Sequence, residues 1–264
     1  MNSTHAIKQL DDSSLFMDAA FVAGEWVTGA QSGQTFDVTN PATGEIIATL
    51  PDTGINEARA AIDAAYIAQK SWAMRTGKDR SAILRRLGEL LIANADELAT
   101  ILTAEMGKPL AEARGEILYG AAYVEWFSEE AKRIYGDFIP GHQADKRIVV
   151  IKQPVGVVAA ITPWNFPNAM LARKLAPALA AGCGFIAKPA AETPLSALAL
   201  TKLAEEAGVP KGLVSILPST KARELGLEFS GNDKIRKISF TGSTGVGRIL
   251  MRQAADKVLR TSME

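Results

Sequence analysis

Short runs of apolar residues alternate with amphipathic segments in the second half of the chain. The apolar runs are Val155 to Ile161, Gly184 to Ala187, Leu213 to Leu217 and Ile235 to Phe240, and the helical segments cover residues 168–181, 195–207, 220–229 and 243–258. Strands that are apolar throughout are typical of a parallel sheet buried on both faces. Right-handed crossovers then predict a doubly wound α/β fold, with a ligand crevice beyond the carboxyl ends of its strands.

The first half of the chain has a different pattern. It predicts short strands at Phe21 to Val27, with Gly24 inside, at Thr35 to Val38 and at Ile46 to Leu50. From Ile55 onward apolar residues recur at steps of three and four, which predicts two helices, and a third is predicted from Pro109 to about Ile134. The glycines and prolines of residues 136–156 favour a projecting hairpin. We therefore divide the chain into N-terminal strands and helices (1–135), the hairpin (136–156) and the α/β core (157–264).

Composition excludes several classes of function. The 264 residues carry 29 basic and 29 acidic side chains, so no net field favours nucleic acid or an anionic membrane. The start of the sequence lacks the pattern of a signal or transit peptide, and no apolar run is long enough to cross a bilayer, so we predict a cytoplasmic protein. One cysteine, Cys183, and two histidines are too few for a disulfide framework or the usual zinc clusters, so no metal site is predicted.

A glycine-containing turn between a strand and a helix is a candidate phosphate site. Phe240-Thr241-Gly242-Ser243-Thr244-Gly245-Val246-Gly247 ends an apolar strand and opens a helix, and the N–H groups of a helix start favour an anion. The glycine order differs from the dinucleotide fingerprint, so the spacing alone is weak evidence. A serine N-cap with glycines for close packing explains the segment equally well.

Three polar residues stand near other strand ends. In Thr162-Pro163-Trp164-Asn165-Phe166-Pro167, the Asn165 amide could donate to an oxyanion; alternatively Asn165 caps the next helix while Trp164 and Phe166 join the core. Lys188 closes a buried strand, where its ammonium group either binds a ribose or phosphate or extends to solvent. Arg173 lies in an otherwise apolar helix and could bind a carboxylate at two points, or form a surface ion pair.

Taken together, these motifs resemble the aldehyde dehydrogenase family. The segments TPWNFP, LAPALAAGCGFIAKPAAETP and ISFTGSTGVGR occur in the family's order and separation, and VTNPATGE and EMGKPLAEARGE extend the likeness from about Phe21 to Glu264. The segment RIYGDFIPGHQADKR, with Arg173, is most similar to the succinate-semialdehyde dehydrogenase branch. The resemblance implies oxidation of succinate semialdehyde or a similar aldehyde, with NADP or NAD as hydride acceptor, by an enzyme that is a homo-oligomer in its full-length form.

The resemblance also implies roles for individual residues. Asn165 matches the family's oxyanion donor and Glu264 its general base, while Arg173 and Phe166 are expected to contact the substrate. Ala191 replaces a glutamate often found in NAD-preferring members, which should make NADP acceptable, while the neighbouring Glu192 leaves the preference between NADP and NAD open. The cofactor is expected to contact Thr162, Trp164, Asn165, Lys188, Pro189, Ala191, Gly242 and Ser243.

The family's nucleophilic cysteine has no counterpart in this sequence. It lies a few dozen residues beyond the position of Glu264 in relatives, and Cys183, at the start of a buried strand, is expected to be an inert core thiol. We therefore expect a fragment that lacks the catalytic domain and has no turnover by itself. The alternatives to an active dehydrogenase are an inactive module that binds NAD(P), or a fragment that associates with other subunits through the hairpin.

Overall fold

The computed structural model describes residues 13–264, which are organised around a seven-stranded mixed sheet. Its strand order is β11-β10-β7-β8-β9-β1-β2, and two further sheets pair β3 with β4 and β5 with β6. The strands are β1 Ala20–Val22, β2 Glu25–Val27, β3 Thr35–Thr39, β4 Ile46–Pro51, β5 Asp137–Pro140, β6 Arg147–Val150, β7 Val157–Ile161, β8 Gly184–Lys188, β9 Val214–Ile216, β10 Ile235–Phe240 and β11 Arg260–Met263.

Eight α-helices accompany these strands in the described part of the chain. They are α1 Ile55–Ala73, α2 Gly77–Ala93, α3 Ala95–Met106, α4 Leu110–Glu130, α5 Pro167–Ala180, α6 Leu195–Ala207, α7 Ala222–Gly231 and α8 Thr244–Ala255. Helices α5, α6, α7 and α8 connect β7 through β11 in turn, and these five strands run parallel. The predicted doubly wound α/β fold is confirmed.

Both faces of the parallel sheet are covered by apolar residues. Along β7, Val158 and Ala160 pack into one core cluster, while Val157 and Ala159 pack into another. The first cluster includes residues of α5 and α6, and the second includes residues of α1 and α7. Burial on both faces explains why β7 is apolar throughout, since side chains of a strand alternate between its two faces.

Three elements differ from the sequence prediction. The single strand predicted from Phe21 to Val27 is wrong: β1 and β2 form an antiparallel hairpin, and its turn places Ala23 and Gly24 at positive φ. Helix α3 was not predicted, because Asn94 ends α2 and begins α3 with no glycine or proline to separate them. Strand β11 was not predicted either, since its polar residues gain their structure by pairing with β10.

The predicted hairpin at residues 136–156 is present. Strands β5 and β6 pair antiparallel from Asp137 opposite Val150 to Pro140 opposite Arg147. Every residue of both strands is exposed, including Phe138 at 69% and Val149 at 66% of their full accessible areas. An apolar hairpin that no element within residues 13–264 covers is typical of a surface that binds another protein.

Candidate functional site

The chain reverses its direction across the sheet between β7 and β10. From β7 it proceeds outward through β8 and β9, and it then returns to place β10 on the other side of β7. In doubly wound sheets the carboxyl ends of the strands at this switch point form the ligand crevice. The register places Ile161 beside both Lys188 and Phe240, so the residues that follow these three strands lie at one edge.

Backbone hydrogen bonds hold those strand ends together. The Thr162 N–H donates to the Lys188 carbonyl at 3.3 Å, and the Thr241 N–H donates to the Ile161 carbonyl at 3.2 Å. Between the ends of β10 and β11, the Gly242 N–H donates to the Glu264 carbonyl at 3.0 Å. The structure therefore brings five of the predicted site residues to one edge: Thr162, Lys188, Gly242, Ser243 and Glu264.

The start of α8 is open to solvent at this edge. Ser243 is the N-cap residue, and its Oγ accepts a hydrogen bond from the Val246 N–H at 3.4 Å. Residues 242–246 are exposed. A Cβ at position 242 would lie 2.6 Å from the Phe240 ring, so any larger residue here would require that ring to move. The serine therefore serves as a cap, and the same helix start still presents backbone N–H groups to an anion.

Lys188 is buried with spare hydrogen-bonding capacity. Its side chain does not extend to solvent, because the residue is only 4% exposed and its Nζ donates to the Pro189 carbonyl at 3.0 Å. Burial lowers its pKa to about 8, although Glu192 and Asp52 oppose this shift. Beside this strand end, the buried Thr162 Oγ1 has no hydrogen-bond partner among the described residues. An ammonium group with two further donors and an unpaired hydroxyl are suited to a polar ligand.

The turn that contains Asn165 is exposed rather than packed into the core. Trp164 and Phe166 retain 55% and 39% of their accessible areas, and Asn165 is also exposed. Phe166, not Asn165, is the N-cap residue of α5, and its own side chain forms no capping hydrogen bond. The structure therefore contradicts the alternative in which Asn165 is a cap and its neighbours are core residues.

Arg173 of α5 and Glu264, which follows β11, form an ion pair beside these strand ends. The Arg173 guanidinium binds the Glu264 carboxylate, which also accepts from the Thr241 hydroxyl at 3.1 Å. Burial alone would raise the pKa of Glu264, but the bonds from Arg173 and Thr241 outweigh it and lower the pKa below its ordinary value. A carboxylate with a lowered pKa is a weaker base, so a base role would require Glu264 to leave Arg173.

A cavity of about 530 Å³ lies beside this ion pair. Besides Arg173 and Glu264, it is lined by the cationic residues Lys174, Lys237 and Arg260. Burial lowers the pKa of Lys174 to about 8. Four basic side chains and one acidic side chain line this cavity, an arrangement that favours an additional anion.

Comparisons with known proteins identify the family of this chain. The model of the "Aldehyde dehydrogenase family" matches residues 26–264. The chain belongs to the aldehyde dehydrogenase family. It is 57% identical to the glutarate-semialdehyde dehydrogenase of Pseudomonas putida over 97% of its own length and 53% of that protein. It is 54% identical to the NADP(+) succinate-semialdehyde dehydrogenase of Escherichia coli, with the same coverage.

Solved aldehyde dehydrogenase structures share the fold. The succinate-semialdehyde dehydrogenase of Burkholderia pseudomallei has a TM-score of 0.93 at 55% identity, over 95% of this chain and 52% of that one. The betaine aldehyde dehydrogenase of Staphylococcus aureus, solved with NAD+, also has a TM-score of 0.93 at 31% identity, over 99% of this chain and 51% of that one. The chain thus spans about half the length of the aldehyde dehydrogenases that it matches.

Cys183 is a core thiol in this aldehyde dehydrogenase chain, as predicted. It is 3% exposed, and burial raises the pKa of the thiol above its ordinary value despite backbone hydrogen bonds and the nearby Arg80. A thiol with a raised pKa supplies little thiolate for attack on an aldehyde. Within residues 13–264 there is also no group of three or more potential metal-ligating side chains, and no helix has the length and apolar content to span a membrane.

Three charged residues that were not predicted from the sequence support the site. Glu116 and Glu105 are buried and accept hydrogen bonds from the first N–H groups of α5 and α6, respectively. Lys108 is the third, and it bonds to both Glu116 and the Asn165 carbonyl. All three lie in the segment EMGKPLAEARGE, residues 105–116, which was noted in the sequence only for its resemblance to the aldehyde dehydrogenase family. Charged residues in a helical pattern are normally assigned to the solvent face, so the sequence held no signal of their burial.

Proposed function

We propose that the described residues form the cofactor-binding half of a semialdehyde dehydrogenase that takes NADP or NAD as hydride acceptor. The observation that carries this proposal is the meeting of Lys188, Thr162 and the α8 start at the switch point of the sheet. The buried lysine and the unpaired threonine hydroxyl fit a ribose or its 2′-phosphate, and the exposed helix start fits a pyrophosphate. When bound, the nicotinamide would supply the hydride acceptor.

The proposed contacts are the eight that the resemblance implied. Lys188, Pro189 and Ala191 would contact the adenosine ribose, and Gly242 and Ser243 the pyrophosphate. Thr162, Trp164 and Asn165 would lie along the nicotinamide ribose. Half-buried Ala191 offers no carboxylate to repel a 2′-phosphate, which supports binding of NADP as well as NAD.

A direct titration tests the cofactor proposal. The 264-residue chain is titrated with NADPH and NADH by fluorescence, together with Lys188→Met and the control Lys78→Met, since Lys78 is an exposed residue of α2. We expect Lys188→Met to weaken NADPH binding at least about tenfold, the effect of losing a charged hydrogen bond, and Lys78→Met to leave it unchanged. Equal binding by all three proteins would refute the assignment of Lys188.

For the substrate, we propose an aldehyde that carries a second, anionic group. Arg173 already binds a carboxylate in this structure, and its cavity is rich in cations. The relatives' names include glutarate and succinate semialdehydes and 3-sulfolactaldehyde, so the anion and its spacing vary among similar chains. Phe166 would contact the substrate beside the Asn165 amide, which would donate to the oxyanion.

Calorimetric titration with succinate and glutarate, in the presence of NADP+, tests the role of Arg173. We expect Arg173→Gln to abolish measurable binding, while Arg86→Gln, which changes an exposed arginine of α2, retains it. Binding of both acids that is unaffected by Arg173→Gln would exclude this arginine as the anion site.

We propose that the 264-residue chain binds NADP or NAD but does not catalyse oxidation of the aldehyde. Cys183 is their one cysteine, and it is buried with a raised pKa. Mixing the chain with NADP+ and succinate semialdehyde should therefore produce no NADPH absorbance at 340 nm, a wavelength at which NADPH but not NADP+ absorbs. Production of NADPH that is lost in Cys183→Ala would overturn both this proposal and the assignment of the thiol.

A second function, association with other subunits, is favoured by the exposed hairpin. We propose that residues 136–156 form this association element beside the N-terminal part (1–135) and the cofactor core (157–264). Replacing exposed apolar residues of both strands, as in Phe138→Asp with Val149→Lys, should reduce the mass measured by analytical ultracentrifugation. An unchanged mass would exclude the hairpin as the contact.

A further inference from the structure

A buried ion pair lies directly beneath the turn that presents Asn165. Lys108 Nζ is 2.6 Å from Glu116 Oε2, and the two side chains are 9% and 0% exposed. Both residues come from the segment between α3 and the middle of α4, more than 45 residues before the turn in sequence. Removing two charges from water is costly, so a pair in this position must form further bonds to be retained.

The two members of the pair hold opposite ends of the turn. Lys108 Nζ donates to the Asn165 carbonyl at 3.0 Å and lies 3.9 Å from the centre of the Phe166 ring. Glu116 Oε1 accepts hydrogen bonds from the N–H groups of Asn168 and Ala169 at 3.0 and 3.1 Å. The backbone on both sides of Pro167 is therefore fixed by one ion pair.

A comparison within the chain separates this pair from ordinary helix capping. Glu105 accepts from the Leu195 and Ser196 N–H groups at the start of α6, as Glu116 does for α5. No lysine forms an ion pair with Glu105 among the described residues, and burial raises its pKa to about 8. A buried glutamate is thus enough to cap a helix in this fold. Of these two glutamates, only Glu116, beside the Asn165 turn, has a lysine partner among the described residues. That lysine, Lys108, also donates a hydrogen bond to the Asn165 carbonyl.

We infer that Lys108 and Glu116 are positioning residues, which fix the backbone of Asn165 so that its side-chain amide keeps one direction at the strand-end crevice. The oxyanion role of that amide rests on the proposed function, but the positioning itself does not. Lys108 donates to the carbonyl and the Phe166 face, while Glu116 balances its charge and holds the first turn of α5. Neither residue is assigned a contact with cofactor or substrate.

Hydrogen exchange in the 264-residue chain tests the inference without any activity. We expect Lys108→Met and Glu116→Gln to accelerate exchange of the Asn168 and Ala169 amides at least about tenfold, with the start of α6 unchanged. Glu105→Gln is the matched control, and it should affect Leu195 and Ser196 but not α5. Acceleration spread evenly over all helices in Lys108→Met would show general destabilisation and overturn the inference.

The Asn165 side chain provides a second readout that a purely structural role would not change. Its NH₂ signals in nitrogen-correlated NMR spectra are assigned by their loss in Asn165→Asp. We expect these signals to shift or broaden in Lys108→Met and to be restored in Lys108→Arg, which retains a cation. Unchanged signals in Lys108→Met refute the inference. If Lys108→Met does not fold, Lys108→Gln, which keeps one donor group, is measured instead.

The two levels of proposal fail separately. If NADPH does not bind but Lys108→Met still changes exchange at Asn168 and the Asn165 amide signals, the proposed function falls and the positioning role stands. If NADPH binds normally and neither measurement responds to Lys108→Met, the positioning role falls alone.

Discussion

Two glycines of α4 should respond in opposite directions to the same substitution. Gly120 is buried where α4 meets α5, and Gly115 is exposed five residues earlier in the same helix. A Cβ built at Gly120 would lie 2.8 Å from Asn168 Oδ1 and 3.4 Å from the Ala169 Cα. A Cβ at Gly115 would have no atom within 4 Å. Gly115→Ala therefore measures helix propensity alone, and Gly120→Ala adds the contact with α5.

The contact distances set the expected size of the effect. Glycine to alanine in a helix interior stabilises by about 0.5–1 kcal/mol, which is the whole effect expected for Gly115→Ala. At Gly120 an overpacking cost of about 1–3 kcal/mol opposes that gain. Asn168 has little room to yield, because it is fully buried. We therefore expect Gly120→Ala to be less stable than Gly115→Ala by about 1–3 kcal/mol.

Urea unfolding followed by circular dichroism measures this difference at 25 °C. In a chain of this size 1 kcal/mol corresponds to about 2–4 °C in Tm, so thermal unfolding should separate the two variants by at least about 2 °C. If Gly120→Ala equals or exceeds Gly115→Ala in stability, α4 and α5 are not in close contact at Asn168. That result would also weaken the inference that α4 fixes the Asn165 turn.

Three further outcomes follow from individual residues. Because burial raises the pKa of Glu105 from 4.5 to about 8, its contribution to the free energy of unfolding is full below pH 4.5 and declines as pH rises toward 8. The stability difference between the parent chain and Glu105→Gln should therefore shrink by up to about 5 kcal/mol over this range in urea titrations, and parallel pH profiles would contradict this. Burial lowers the pKa of Lys188 to about 8, so this side chain loses its charge between pH 7 and pH 9. NADPH affinity should therefore fall up to about tenfold over this range, while NADH affinity changes little. An equal loss of affinity for both cofactors would argue against pairing of Lys188 with the 2′-phosphate. Val258 has a φ of +50° and is exposed. Val258→Gly should therefore raise Tm by relieving about 0.5–1 kcal/mol of backbone strain, whereas Val258→Ala should not. Identical Tm values for the two variants would show that this backbone is unstrained.

The parallel sheet and its strand-end residues could be predicted from local pattern. Strands β7, β8 and β9 are short and mainly apolar because both of their faces are buried, and β10 is buried over its second half, from Ile238 to Phe240. This pattern can be recognised in the sequence. The carboxyl ends of parallel strands meet at one edge, so Thr162, Lys188 and Gly242 could be grouped before the structure was known. The motifs at those ends were also sufficient to suggest the family.

Other features depend on partners that are distant in sequence, and only the tertiary structure decided them. Strand β11 exists because its residues pair with β10. The β1–β2 turn needs a positive φ at Ala23 and Gly24, and the alternation of apolar and polar residues does not predict this backbone conformation. Lys108 and Glu116 are buried because α4 packs against α5, which brings a charged segment beneath a turn far along the chain. A charged side chain has the same local pattern whether it faces water or a buried partner, since the cost of burial is offset by groups that the fold alone brings near.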